Sequence, residues 1–249
     1  MTDRVIVITG ASSGIGAAAA EQLAARGDAV VLVARREREL LEVAARCGEH
    51  ALPVVADVTS REQVQRVVRE AIARFGHVDV WVNNAGRGIS RSVSELTDDD
   101  VDEMMRVNVK SALYGMQEIL PHFLERASGQ IVNVSSMLGR VPAATFRSAY
   151  NGAKAFLNAI TANLRDELRE SHPGIQVSLV SPGVVATDFG TSAKYGGPDS
   201  RALPMSQPVE EAAIVIVRVI DTRAPDMYTR AGMRQYAIDY LSRLAVDPS

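Results

Sequence analysis

Residues 5–16 read VIVITGASSGIG. The run VIVIT has no polar alternation, as expected of a strand covered on both faces. It breaks at Gly10, and Gly14 and Gly16 follow at the head of an alanine-rich stretch with helical period. Glycines in a tight strand-to-helix turn let the backbone bend sharply and approach a pyrophosphate, which the free N–H groups and dipole of the helix N-terminus stabilise. Ser12, Ser13 and the backbone of Ile15 complete the turn, with two hydroxyls as further donors. The spacing is G-x-x-x-G-x-G and not the common G-x-G-x-x-G. The loop alone therefore leaves open a turn shaped only by packing.

The same alternation continues along the chain. Strand-like runs at 29–34, 53–58, 78–85, 130–136 and 176–183 are interleaved with helix-period segments at 15–26, 36–46, 60–75, 98–126, 148–170 and 209–221. Such alternation predicts a parallel sheet with right-handed crossovers. The expected fold class is α/β: a Rossmann-like doubly wound parallel sheet with helices on both faces, in a single domain over 1–249. Its first half, to about residue 127, would bind a nucleotide, and its second would carry the reacting groups. The stretch 187–208, TDFGTSAKYGGPDSRALPMSQP, has no clear period and follows a strand's carboxyl end, so it is expected to be a substrate lid. The tail predicts a short strand at 226–229 and then an amphipathic helix.

Composition narrows the setting. The 249 residues are 47% hydrophobic and 23% charged with a net charge of −3, so no basic excess recommends nucleic acid. No apolar run reaches the roughly 18–20 residues of a membrane span, and the strand starting at Val5 leaves no room for a secretion signal. A cytoplasmic protein is expected, and its one cysteine, Cys47, fits a reducing compartment. The histidines at 50, 77, 122 and 172 lack metal-site spacing, so no metal is expected.

The second strand ends in VARRERE, residues 33–39. A nucleotide fold that selects NAD carries an acid at this point to bind the ribose 2′-hydroxyl. Here Ala34 precedes Arg35 and Arg36, so nothing repels a 2′-phosphate and two guanidinium groups can grip one. NADP(H) is the expected cofactor, preferred over NAD(H).

Residues 148–156, SAYNGAKAF, place Tyr150 and Lys154 one helical turn apart. Alone, the pair reads equally as a core tyrosine and a solvent-edge lysine. Its company changes that. TGASSGIG at 9–16, ADV at 56–58, NNAG at 83–86, the Asn in RVNVKS at 106–111, IVNVSS at 131–136, YNGAK at 150–154 and SPGVVAT at 181–187 follow one another in order. Over about residues 4–190 the chain resembles the classical short-chain dehydrogenase/reductase family.

The resemblance implies an oxidoreductase that interconverts a carbonyl and an alcohol by hydride transfer. Tyr150 would be the general acid/base. Lys154 would lower its pKa and bind the nicotinamide ribose, Ser136 would orient the substrate oxygen, and Asn108 would support a proton relay. Asp57 and Val58 would flank the adenine, Asn84, Ala85 and Gly86 would run beneath the cofactor, and Pro182, Gly183, Val185 and Thr187 would line its nicotinamide side. The alternative is a non-catalytic NADP(H)-sensing regulator, which would predict a lost catalytic residue. A homo-oligomer, dimer or tetramer, is expected, with the tetramer weakened because the C-terminus departs from the family's pattern.

Ser136 is chosen over Ser135 because strand alternation points the two to opposite faces. The interval from Ser136 to Tyr150 is one residue longer than is usual in the family, in the stretch GRVPAATFRS. Met137, Leu138, Val141, Ala144, Phe146, Val184, Phe189 and Tyr195 form the expected pocket wall, a largely apolar set that favours a hydrophobic small-molecule carbonyl. Arg87 and Arg140 are the candidate anchors for an anionic substrate.

Overall fold

The computed structural model describes residues 4–244. Seven strands, β1 (Val5–Thr9), β2 (Ala29–Ala34), β3 (Ala51–Val55), β4 (Val80–Asn83), β5 (Gly129–Val134), β6 (Ile175–Ser181) and β7 (Asp226–Tyr228), form one sheet in the order β3-β2-β1-β4-β5-β6-β7. Every neighbouring pair is parallel. Pro53 lies in β3, at the sheet edge where a missing N–H is tolerated.

The non-alternating strands have the two-sided burial their sequence predicts. Ile6, Ile8, Val30 and Leu32 face α1 (Gly14–Ala24), α2 (Glu37–Cys47) and α7 (Val209–Thr222). Val5, Val7, Val31 and Val33 face α3 (Arg61–Phe75), α5 (Ser111–Glu125) and α6 (Ser148–Leu168). The strand side-chain period of two divides one apolar run between two cores.

The segment expected as one helix over 98–126 contains α4 (Asp98–Met105), a π-helical turn over Arg106–Lys110, and α5. A π-turn inserts one residue into the helical ladder and commonly marks a functional position; here it contains Asn108. The tail forms β7 and then α8 (Met233–Leu244).

A buried polar chain joins the sheet centre to its helices. Trp81 Nε1 donates to Asn83 Oδ1 at 2.7 Å, Asn83 Nδ2 donates to Asn133 Oδ1 at 2.8 Å, and Asn133 Nδ2 donates to Thr161 Oγ1 at 2.8 Å. Gly115 lets α5 close over this chain, since a Cβ there would lie 2.2 Å from Asn83 Oδ1. Gly115→Ala will therefore overpack a site that cannot relax, costing about 1–3 kcal/mol. Denaturant unfolding will read this as a lower midpoint with an unchanged slope.

Candidate active site

The glycine loop closes against the end of β4. Thr9 Oγ1 accepts the backbone N–H groups of Asn84 and Ala85 at 3.0 and 3.1 Å, while Asn84 Nδ2 donates to Thr9 O at 2.9 Å. Gly16 sits so near that a Cβ would fall 2.5 Å from Asn84 Nδ2 and 2.6 Å from Gly10 O. Gly10 itself has φ +68°, a left-handed conformation that disfavours other residues. α1 then begins with no side-chain cap from Ser13 and no acid in its first turn. Uncapped N–H groups and a positive dipole end thus face the crevice between β1 and β4, where the strand order reverses. Those features fit a dinucleotide phosphate.

The remaining nucleotide candidates surround this crevice. Arg36 donates to Ser12 Oγ at 3.0 Å and Ser13 Oγ at 2.6 Å, while Arg35 Nη1 lies 4.0 Å from Asp57 Oδ2. Burial pushes the Asp57 carboxyl up, but the Thr59 N–H and hydroxyl, with Arg35 and Arg106, outweigh it and hold the group below its ordinary range. Val58 and Ile15 are half-buried against the two cores. Across the crevice Thr187 Cγ2 would stand 3.4 Å from a Cβ on Gly14, and Thr187 N donates to Val185 O. Pro182 O accepts from Met137 N at 2.7 Å, and Gly183 N donates to Thr229 Oγ1 at 3.3 Å. The 181–187 segment is thereby tied to both β5 and β7.

The four residues assigned to catalysis are brought together, and all are buried: Asn108 1%, Lys154 3%, Tyr150 5% and Ser136 8% exposed. A Cβ on Gly86 would lie 2.9 Å from Asn108 Oδ1 and 3.6 Å from Lys154 Nζ, so all three converge. Lys154 Nζ is 5.8 Å from the centre of the Tyr150 ring and donates to Val134 O at 2.9 Å. The Asn108 side chain clamps the backbone of Arg87, accepting from its N–H at 3.1 Å and donating to its carbonyl at 2.9 Å. Ser135 turns to α6, donating to Asn158 Oδ1 and Lys154 O, which leaves Ser136 as the serine beside Tyr150.

Electrostatics here run against one expectation. Burial pushes the Tyr150 phenol up to about 12, against the opposing effects of its hydrogen bond with Ser136 and the charge of Arg147. Burial also pushes the Lys154 ammonium down to about 8. Desolvation outweighs the lowering of the Tyr150 pKa expected from Lys154. The phenol thus keeps its proton at neutral pH, which is the form that can act as an acid.

The pocket wall also differs from the one expected. Leu138 and Phe189 pack with Tyr150, the Phe189 ring 5.3 Å from it. Met137 and Val141 instead form a cluster with Met233 and Ala237, because α8 folds over them. Arg87 pairs with Glu103 at 2.9 Å and Arg140 with Asp226, so neither candidate anchor carries an uncompensated charge.

The stretch 187–208 is fastened by a cluster the sequence did not reveal. Asp100, fully buried, accepts from Lys194 Nζ at 2.8 Å, Tyr195 Oη at 3.0 Å and Arg91 Nη1 at 3.0 Å. It also receives the Thr97 N–H in a capping box at the start of α4. Asp100 lies in the run TDDD, where the T-x-x-D spacing marks it as the capping-box acid but nothing local marks its burial or its cationic partners. The Lys194 hydrogen bond, ahead of opposing desolvation, drives its carboxyl far below the usual range. A depressed folded pKa gives stability that is present above the unfolded value of about 3.9 and is lost as pH falls below it. Asp100→Asn should therefore lower the melting temperature at neutral pH and flatten its decline between about pH 4 and 2; thermal unfolding across that range checks both.

The chain is similar to known proteins in sequence and in fold. The family model described as short chain dehydrogenase matches residues 4–195. An uncharacterized oxidoreductase of Staphylococcus epidermidis is 38% identical over 194 residues, which are 78% of this chain and 83% of that protein. A short chain dehydrogenase/reductase from Burkholderia phymatum, solved in complex with NAD, has TM-score 0.88 at 25% identity, covering 99% of this chain and 97% of the other. A short-chain dehydrogenase from Sphingobium yanoikuyae in complex with NADPH has TM-score 0.82 at 29% identity, covering 96% and 94%.

Proposed function

The chain belongs to the short-chain dehydrogenase family, and from that premise we propose that it is an NADP(H)-dependent oxidoreductase interconverting a ketone or aldehyde and an alcohol. The observation that carries the reading is the convergence of buried Tyr150, Lys154 and Ser136 two strands across the sheet from an uncapped phosphate loop. A bound nicotinamide would supply hydride transfer, and in its oxidised form a positive charge. The protein's own residues do the rest. Gly10, Ser12, Ser13, Gly14, Ile15 and Gly16 hold the pyrophosphate, and Asp57 and Val58 flank the adenine. Asn84, Ala85 and Gly86 lie under the cofactor, and Pro182, Gly183, Val185 and Thr187 close its far side.

In the reducing direction Ser136 hydrogen-bonds the substrate oxygen and Tyr150 gives that oxygen its phenolic proton as negative charge develops there. Lys154 binds the ribose, and its ammonium stabilises the tyrosinate left behind. Asn108, by fixing the Arg87 backbone, keeps the path from Lys154 to solvent in place. The 187–208 segment, latched through Lys194 and Tyr195, covers the substrate. With Leu138 and Phe189 against Tyr150, the substrate is a largely apolar carbonyl.

The preference for NADP(H) rests on Ala34, where an acid would select NAD, and on the two arginines that follow. Arg36 joins the loop serines, so both guanidinium groups flank the edge where a ribose phosphate would sit. Arg35→Ala or Arg36→Ala should weaken NADPH binding by about 1.5–3 kcal/mol, leaving NADH binding nearly unchanged; titration of each nucleotide by fluorescence measures this, and equal weakening of both would refute the assignment. Ala34→Asp should move the preference toward NADH. Across a panel of aromatic, aliphatic and polar carbonyls, NADPH consumption should fall about 10²–10⁴-fold in Tyr150→Phe while NADPH binding persists. Undiminished turnover in that variant would sink the acid/base reading.

A further inference from the structure

Arg147 opens α6 three residues before Tyr150, in the stretch that is one residue longer than the family's usual spacing. It is only 6% exposed. Its Nη1 donates to Ile89 O at 3.2 Å, and among the described residues no carboxylate pairs with it. An unpaired buried guanidinium is costly to maintain. The space around it is nevertheless shaped to its outline. A Cβ on Gly88 would lie 2.9 Å from Nη1, and one on Gly197 would lie 2.9 Å from Nη2. Its Cζ stands 5.2 Å from the Phe146 ring and 5.9 Å from the Phe189 ring, the same ring that packs on Tyr150.

The surroundings leave this charge without a closer counterion. The apolar side chains packed with Tyr150 from other elements are Ile89, Met104, Val109, Leu138 and Phe189. On α4, Asp100 and Glu103 are taken up by Arg91, Lys194 and Arg87. On α6 itself, Lys154 is the cation one turn beyond Tyr150, and Arg165 lies in the last turn. From the end of β5 comes only the Ser136 hydroxyl. Burial pushes the guanidinium below its ordinary range, and the phenol of Tyr150 is the group that pulls it back.

We propose that Arg147 is a positioning residue for the acid/base step, a fixed positive charge that stabilises the Tyr150 oxygen once its proton has left. The inference rests on Tyr150 being the acid/base. In the step concerned the Tyr150 O–H bond breaks, the proton passes to the substrate oxygen, and Arg147 keeps all its protons throughout. It works by charge in a medium of low dielectric, where a neighbouring cation counts for more than it would in water. Lys154 shares the role and in addition holds the ribose.

The test is the pH profile of kcat for alcohol oxidation at saturating NADP⁺ in the wild type, Arg147→Gln, Arg147→Lys and Tyr150→Phe. Glutamine retains a donor for Ile89 O without the charge, whereas lysine retains the charge. In Arg147→Gln the rising limb should move up by about one pH unit or more, with NADP⁺ affinity unchanged, and in Arg147→Lys it should stay at the wild-type position. A folded Arg147→Gln enzyme whose limb coincides with wild type overturns the proposal, as does an equal shift in both variants. If Arg147→Gln does not fold, Arg147→Met, similar in length and without the charge, decides by the tyrosinate absorbance of Tyr150 with NADP⁺ bound, after subtraction of the matching Tyr150→Phe protein. An upward shift from wild type then supports the role and coincidence removes it. Activity surviving in Tyr150→Phe would instead refute the acid/base reading itself.

Discussion

The close approach of β1 to β4 at their carboxyl ends is the constraint on which the site depends. Thr9 Oγ1 accepts two N–H groups of the NNAG turn, and Asn84 returns a bond to the β1 backbone. This clasp satisfies polar backbone at the point where the strand order reverses and ladder bonds cannot continue. It also fixes Gly86, and through Gly86 the placement of Asn108 and Lys154. One set of hydrogen bonds therefore fixes the floor of the crevice that we propose holds the nucleotide.

Charge around the end of the sheet that carries Tyr150 is held where water is scarce. Tyr150, Lys154, Arg147 and Asp100 are each nearly inaccessible, but they are treated differently. Asp100 is surrounded by Lys194, Arg91, Tyr195 and the Thr97 N–H, and its ionised form is strongly favoured. Tyr150 and Lys154 have no opposite charge, so desolvation drives both toward their neutral forms. The contrast separates a structural latch from the pair we propose as reactive: a paired ion holds the 187–208 segment down, and groups without a counterion remain able to exchange protons.

Much of the architecture was legible in local pattern. Strands such as VIVIT and AVVLVA read as doubly buried because their apolar residues do not alternate, and Ile6 and Val7 do face opposite cores. The ordered motifs named the family. The π-turn at Asn108 was not legible, since its residues fit the period of an ordinary helix and only packing against the Arg87 backbone favours the extra residue. Met137 and Val141 are apolar residues expected in the pocket wall, whereas α8, about 90 residues further on, packs against them. The burial of Asp100 and Arg147 carried no sequence signal, because a buried charge and a surface charge use the same letters.

The sequence by itself determined the sheet, the family and the chemical types at the site, because periodicity and glycine placement are local properties of a chain and the motif order is written in it. The tertiary structure decided which charges are paired and which are not. That distinction depends on distance and desolvation between residues far apart in the chain: Lys194 reaches back to Asp100, while Phe189, Gly88 and Gly197 close around Arg147 without an acid among them. Dielectric and contact distance arise only when the chain has folded, and they set the proton affinities of Tyr150 and Lys154.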